Sequence, residues 1–192
     1  MLQIQEVIHS MITISDQDLS SFLTQTRVRV FKKNEILSPP GQVPPSIFFI
    51  NRGLIRVFIT DSQGNEHTVH FALEGQFIAD YTHFLQQTPS VYCLQALEEL
   101  EVVEIPRKTI EWGYAHLPNG QKLGRLIAEY YFIYHDQRIQ NQYLRTPRER
   151  YESITQTFPN LHQRVPQHLI ASYLGITPIH LSRIKKQTTP KT

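Results

Sequence analysis

The side chains of this 192-residue chain that could do chemistry fall into three groups. The first lies near the end, in "LGITPIHLSRIKK". There Thr177, Ile179, His180, Ser182, Arg183, Lys185 and Lys186 share one short stretch, and their types suit nucleic acid. An arginine fork matches the two acceptors of guanine, so Arg183 is the expected base reader, while Thr177, Ser182, Lys185 and Lys186 suit phosphate oxygens. The second group is His67 and His70, with a nearby Glu, in "GNEHTVHFALEGQ". A cupin-like metal enzyme could use such residues in a barrel. Side chains alternate faces on a strand, however, so two histidines three apart are expected to point to opposite sides. The third is Cys93, a single thiol with no disulfide or metal-cluster partner in the chain, expected to be a small buried strand residue. No Ser/His/Asp or Cys/His arrangement and no phosphate-binding glycine loop occurs, and the carboxylate pairs Glu98-Glu99 and Glu101-Glu104 read as strand or turn surface. No catalytic residue and no metal ligand is assigned, and the chain is not expected to be an enzyme. The cupin-like metal enzyme stands as an alternative that stoichiometric metal in a purified sample would favour.

The elements that must position these groups belong to an ordinary folded protein, with 40% hydrophobic and 19% charged residues. No window approaches the roughly 18 consecutive apolar residues of a membrane span. The opening "MLQIQEVIHSMITISDQDLS" lacks the basic start and apolar run of a secretory signal, so a cytoplasmic location is expected. Charge is unevenly spread. Residues 1–137 hold 10 Lys and Arg against 15 Asp and Glu, whereas residues 138–192 hold 9 against 2. An acidic body with a basic end suggests that the end meets a polyanion.

From Arg27 to about Ile105 the pattern is β. "VRVFKKNEIL", "SIFFINRGLIRVFIT", "EHTVHFAL" and "LEVVEI" are short β-branched or aromatic runs between turn signals. Gly41, Gly53, Gly64 and Gly75 recur at steps of 12, 11 and 11 residues, which argues for a rolled antiparallel barrel with a glycine at each corner. Ahead of it, Ser15 reads as the N-cap of a short helix over "LSSFL". From about Pro118 to Leu144 the apolar period becomes helical, without proline from Asn119 to Thr146. Apolar residues lie on more than one face, so one face is expected to cover the barrel and another to meet the same helix of a second subunit. Leu123, Leu126, Ile127, Tyr130, Ile133 and Tyr134 are the expected dimerisation residues. Thr146 and Pro147 then start another helix.

In "PQHLIASYLGITPIHLSRIKK", Leu169, Ile170, Tyr173 and Leu174 form the inner stripe of one helix. Gly175 stands where only glycine turns left-handed cheaply, Ile176 fills the angle, Thr177 caps the next helix, and Leu181 and Ile184 face inward. Two helices so joined make a helix-turn-helix, with Ile179, His180, Ser182, Arg183 and Lys186 on its outward face.

In this order, barrel, long helix and terminal helix-turn-helix resemble the cyclic-AMP receptor and fumarate-nitrate regulator (Crp/Fnr) family of bacterial transcription factors. The likeness is carried by Gly41, "NRGLIRVFIT" around Gly53, the Gly64 turn, "GQFIAD" and "IASYLGITPIHLSRIKK". It is nearest to the short regulators of that family in Bacteroidetes, which carry a segment like "RVPQHLIASYLGIT" at 164–177. The resemblance implies an α+β fold. A cyclic-nucleotide-binding-like β-roll would span 1–116, a dimerisation helix 117–145 and a helix-turn-helix domain 146–192. It also implies a cytoplasmic homodimer on palindromic promoter DNA, with RNA polymerase as a further partner and no membrane. No cofactor is implied: the iron-sulfur branch needs a cysteine cluster, and no particular histidine supports haem.

The departures concern both ends. Nucleotide-binding members carry Gly-Glu, a short helix, then Arg-Ser or Arg-Thr, with Glu on the ribose and Arg on the phosphate. Here Gly-Glu falls on Ala79-Asp80 and Arg-Ser on Ser90-Val91, and no Arg or Lys occurs between Arg56 and Arg107. A buried phosphate without a cation loses several kcal/mol, so cyclic AMP is not expected to bind in the family manner. Asp80 could still hold a sugar-like hydroxyl, and Ala79, Tyr81, Thr82, His83, Ser90, Val91 and Tyr92 could line an altered pocket. A regulator answering to a cyclic nucleotide or another small molecule is therefore an alternative, as is a ligand-binding protein whose terminal helices meet protein. The recognition helix has Pro178-Ile179 where many members have Arg-Glu, and keeps the later Arg as Arg183. Only six residues follow Lys186, leaving little or no β-hairpin wing.

Overall fold

A computed structural model of the chain describes residues 2–158 and 160–188. Two helices lead, α1 (Leu2–Met11) and α2 (Asp16–Leu23). Eight strands follow: β1 (Arg27–Phe31), β2 (Ile36–Ser38), β3 (Ser46–Arg52), β4 (Ile55–Thr60), β5 (Glu66–Ala72), β6 (Phe77–Ile78), β7 (Tyr92–Ala96) and β8 (Leu100–Pro106), with α3 (Tyr81–Gln86) between β6 and β7. The chain continues through α4 (Arg107–His116), α5 (Gly120–Leu144), α6 (Pro147–Thr157), α7 (Leu161–Arg164), α8 (Gln167–Leu174) and α9 (Pro178–Thr188). The α+β class is as expected, with an antiparallel β-roll followed by a long helix and C-terminal helices. The expectation of little or no wing falls largely on residues 189–192, outside the described residues.

The strands form two antiparallel four-stranded sheets, in the orders β1-β8-β3-β6 and β2-β7-β4-β5. Between them lies a core built from Phe31, Phe48, Ile50, Ile55, Val57, Leu94, Leu100 and Val102. The first sheet is buried on its other face too. Phe49, Val103 and Ile105, alternating with the residues just named, pack under Ile4 and Ile8 of α1, Ile12 just after it, Leu19 and Phe22 of α2, and Leu123 of α5. A strand covered on both sides needs apolar side chains at successive positions, which is why β3 reads "SIFFINR" without alternation. Each of the four expected corner glycines has positive φ. At Gly53, φ is +102° and an added Cβ would lie 2.7 Å from Glu99 O and 3.0 Å from Leu100 Cα, so no other residue fits between these strands.

Helices α1, α4 and α7 and strand β6 are not among the elements expected from the sequence. Helix α1 was legible, since Ile4, Ile8 and Ile12 recur at four-residue steps and are all buried. Strand β6 has two residues and no periodicity to show. The caps were legible. Ser15 Oγ accepts from Asp18 N at 3.1 Å, and Thr146 and Glu149 form a reciprocal capping box with Pro147 at the first helical position.

The C-terminal helices share a core with the roll. Leu54, Phe71 and Leu97, on the outside of the second sheet, are buried together with Ile154, Phe158, Leu161, Leu169, Ile170 and Leu174. Polar contacts frame this junction. Arg164 forms two hydrogen bonds to Glu74, at 2.7 and 3.1 Å, and pairs with Glu98 as well. Ser172 Oγ accepts from Thr68 N at 2.9 Å.

Candidate nucleic-acid interface and sensor site

Helices α8 and α9 are joined by three residues. Gly175 closes α8 with φ +68°, and the Ile176 N–H returns to Ala171 O at 3.0 Å, so the turn satisfies carbonyls that the helix end would leave bare. Ile176 packs against the C-terminal core as the turn's apolar anchor. Thr177 Oγ1 then accepts from His180 N at 3.2 Å and caps α9. Leu181 and Ile184 are buried, which fixes the rotation of α9. Ile179, His180, Arg183 and Lys186 are exposed on the opposite side, while Ser182 and Lys185 are half-buried. One surface thus brings together most of the residues expected to meet nucleic acid. Among the described residues, Arg183 has no carboxylate within ion-pair distance.

The nucleotide-cassette positions are also brought together, but in contact with each other. Asp80 and Ser90 are both buried, and Ser90 Oγ donates to Asp80 Oδ2 at 2.5 Å. Asp80 also caps α3 by accepting from His83 N at 3.3 Å. His83 Nδ1 lies 2.6 Å from the same Asp80 oxygen, so three side chains converge within the cassette. Ser90 Oγ accepts from Tyr92 N at 2.8 Å, and the Ser90 backbone is held by Gly41 and Gln42. The carboxylate and hydroxyl that would face a ligand therefore satisfy one another. Ala79 and Tyr81 are half-buried, Tyr92 likewise, and Thr82 and Val91 point to solvent.

Sequence spacing missed one cation here. Arg107 reaches α3 from beyond the long stretch without Arg or Lys, donating to Phe84 O at 2.7 Å and lying 5.5 Å over the Phe84 ring. Its Nε is bonded to Glu111. Arg56, at the other end of that stretch, is buried on the second sheet against Thr68 and Glu66 and stacked on Phe58. Both guanidiniums are thus committed elsewhere than to Asp80 and Ser90.

His67 and His70 part as strand alternation predicts. His67 is exposed and bonded to Asp61 at 2.9 Å. His70 is buried, its Nδ1 sharing a hydrogen with Tyr134 Oη at 2.8 Å, and Tyr134 in turn meets Tyr173 Oη at 3.0 Å. Burial, with smaller contributions from His135 and Arg138, lowers the His70 pKa to about 3. Burial likewise raises the Tyr134 phenol well above its usual range. This chain of rings links β5, α5 and α8. Cys93 is buried on β7, as expected.

Helix α5 presents more than one apolar face. Leu123, Leu126 and Ile127 pack on α1, α2 and α4 of their own chain, and Tyr134 is held in the ring network. Tyr130 and Ile133 are half exposed. Outside the expected set, Phe132 is 74%, Ile139 58% and Tyr143 84% exposed. Steps of seven and four residues put these three on one stripe facing away from the body.

Fold and site together define an architecture: an antiparallel β-roll followed by a long helix and C-terminal helices with a basic outer face. Residues 28–115 match the family described as "Cyclic nucleotide-binding domain". Solved structures match over most of the length. The c-di-GMP-responsive global regulator CLP of Xanthomonas campestris is 14% identical, with a TM-score of 0.69 over 90% of this chain and 91% of that one. FixK2 of Bradyrhizobium japonicum is 17% identical, with a TM-score of 0.68 over 84% and 83%. A protein of Eubacterium rectale, provisionally assigned to the crp/fnr family of transcriptional regulators, is 12% identical, with a TM-score of 0.69 over 91% and 83%. No curated protein matches in sequence. At these identities the likeness is one of fold. No described helix is long and apolar enough to cross a membrane.

Proposed function

We propose that the chain is a sequence-specific DNA-binding transcriptional regulator that acts as a homodimer and does not hold cyclic AMP in its cassette. The observation that carries this reading is the capped helix α9, whose buried Leu181 and Ile184 turn Ile179, His180, Arg183 and Lys186 outward. In this reading α8 and α9 are a helix-turn-helix, and α9 enters the major groove. Arg183 reads a guanine, and Thr177, Ser182, Lys185 and Lys186 meet phosphates. The domain division is that expected from the resemblance: sensor to residue 116, dimerisation helix to 145, DNA-binding helices beyond. The second subunit meets α5 along Phe132, Ile139 and Tyr143, with Tyr130 and Ile133 beside them. Palindromic DNA follows from two-fold symmetry, with RNA polymerase as a further partner and a role without catalysis.

Selection from random duplex DNA by the purified protein tests this. A recovered palindrome is expected, with binding that weakens steeply as salt rises. Arg183→Ala is expected to lose about 1–3 kcal/mol of discrimination per subunit at one base pair. Failure to enrich any sequence, with or without added nucleotides, would count against the reading.

A second reading, a regulator that answers to a small molecule through an altered pocket, is favoured by the convergence of Asp80, His83 and Ser90 at the cassette positions. Saturable cyclic-AMP binding in calorimetry at micromolar concentration, lost in Asp80→Ala, would replace the first reading of the cassette with this one.

A further inference from the structure

A cavity of about 90 Å³ lies where α5, α6 and α8 meet, beside the Arg145–Thr146 connection. That is several times the roughly 10–15 Å³ one water occupies. Arg138 of α5 and Arg150 of α6 both line it, together with Gln142, Ser153, Thr157 and Tyr173, and no acidic residue is among its described lining. Among the described residues, neither arginine is in an ion pair. Arg138 lies 4.2 Å over the Tyr173 ring and reaches Thr68 O only at 3.5 Å. Arg150 Nη1 holds two carbonyls at the end of α5, Gln142 O and Arg145 O, each at 3.1 Å. Each guanidinium keeps one nitrogen, Arg138 Nη1 and Arg150 Nε, shut off from solvent without a hydrogen-bond partner.

Buried donors normally find acceptors, and two uncompensated guanidiniums at one cavity call for negative charge. Guanidinium forks suit oxyanions, and the hydroxyls and amide around them can add neutral donors. We propose that this cavity is a binding site for a phosphate group, supplied either by free inorganic phosphate or by a small phosphomonoester. The bound anion would bridge α5 to α6 beneath α8 and so fix the angle at which the C-terminal helices leave the long helix. The site is separate from both the cassette at Asp80 and the outer face of α9, and it stands whether or not the protein binds DNA.

Calorimetric titration of the full chain with inorganic phosphate and with glycerol 3-phosphate, against chloride at matched ionic strength, tests this. One saturable site per chain is expected, with a matching rise in melting temperature. A tighter glycerol 3-phosphate isotherm would identify a metabolite's phosphate as the ligand, and equal isotherms the free ion. Arg138→Gln and Arg150→Gln should each weaken binding at least tenfold. Ser153→Leu, which fills the cavity and leaves both charges, should abolish it, while Arg183→Ala on the outer face of α9 should bind as the parent does. Arg150 also holds the end of α5, so if its variant does not fold, Arg138→Gln and Ser153→Leu decide. The proposal is overturned by an absence of saturable binding in the parent, by parent-like binding in both of those folded variants, or by binding that depends on Arg183 instead.

Discussion

Asp80 and Ser90 show how one pair of residues sets the character of a site. Their 2.5 Å hydrogen bond is buried, and Asp80 also caps α3, so the carboxylate is a structural element of the roll. Asp80→Ala leaves the Ser90 hydroxyl and the His83 amide without their acceptor. It is expected to cost about 1–3 kcal/mol, read as a lower urea midpoint at unchanged slope. The missing cassette cation was legible in the sequence, because a stretch without Arg or Lys can be counted. The Asp80–Ser90 bond was not, since it depends on how tightly the loop at Gly41 and Gln42 holds Ser90. Arg107 escaped for a related reason: it lies beyond β8 in sequence and next to α3 only in space.

At the scale of elements, β5, α5 and α8 are tied by His70, Tyr134 and Tyr173, and this tie should respond to pH. In the folded chain His70 resists protonation down to about pH 3, surrounded by Tyr131, Tyr134, His135, Arg138 and Phe158, whereas in the unfolded chain it protonates near its ordinary value. The unfolded state therefore binds the extra proton between those values. The stabilisation is fully present above about pH 6.5 and is lost as pH falls, at up to about 1.4 kcal/mol per pH unit. Urea unfolding at pH 7, 6 and 5 should show this slope, and His70→Gln should flatten it. An unchanged slope in the variant would assign the acid sensitivity to other groups. Helix α5 was legible as a helix, but which of its residues meet its own chain was not. Leu123, Leu126 and Ile127 satisfy the same apolar period whether they meet a second subunit or their own α1 and α4, and α1 and α4 had not been read. The stripe left outward carries its own test. Ile139→Glu puts a charge amid Phe132 and Tyr143 and is expected to shift sedimentation from dimer to monomer without lowering the monomer's helicity.

Across the whole molecule, sequence composition divides the chain into an acidic body and a basic end, yet its packing does not follow that line. Leu54, Phe71 and Leu97 of the roll are buried by Ile154, Phe158, Leu169, Ile170 and Leu174, and Arg164 clasps Glu74 and Glu98 across the same junction. Burial works against the Glu74 charge, but Arg164 outweighs it and holds the carboxyl below its ordinary range. The shared core predicts cooperative melting. Scanning calorimetry on the full chain should give a single transition whose calorimetric and van't Hoff enthalpies agree. Two resolved transitions would mean that the halves melt separately. A chain cut after residue 145 should expose the three roll residues and aggregate, since an apolar patch suddenly bared is a sticking surface. The same junction makes the outer face of α9 costly to reorient. Any swing of the C-terminal helices must first wet Phe71 and Leu97 and separate Arg164 from two carboxylates, so the junction resists small displacements as a latch with a threshold does.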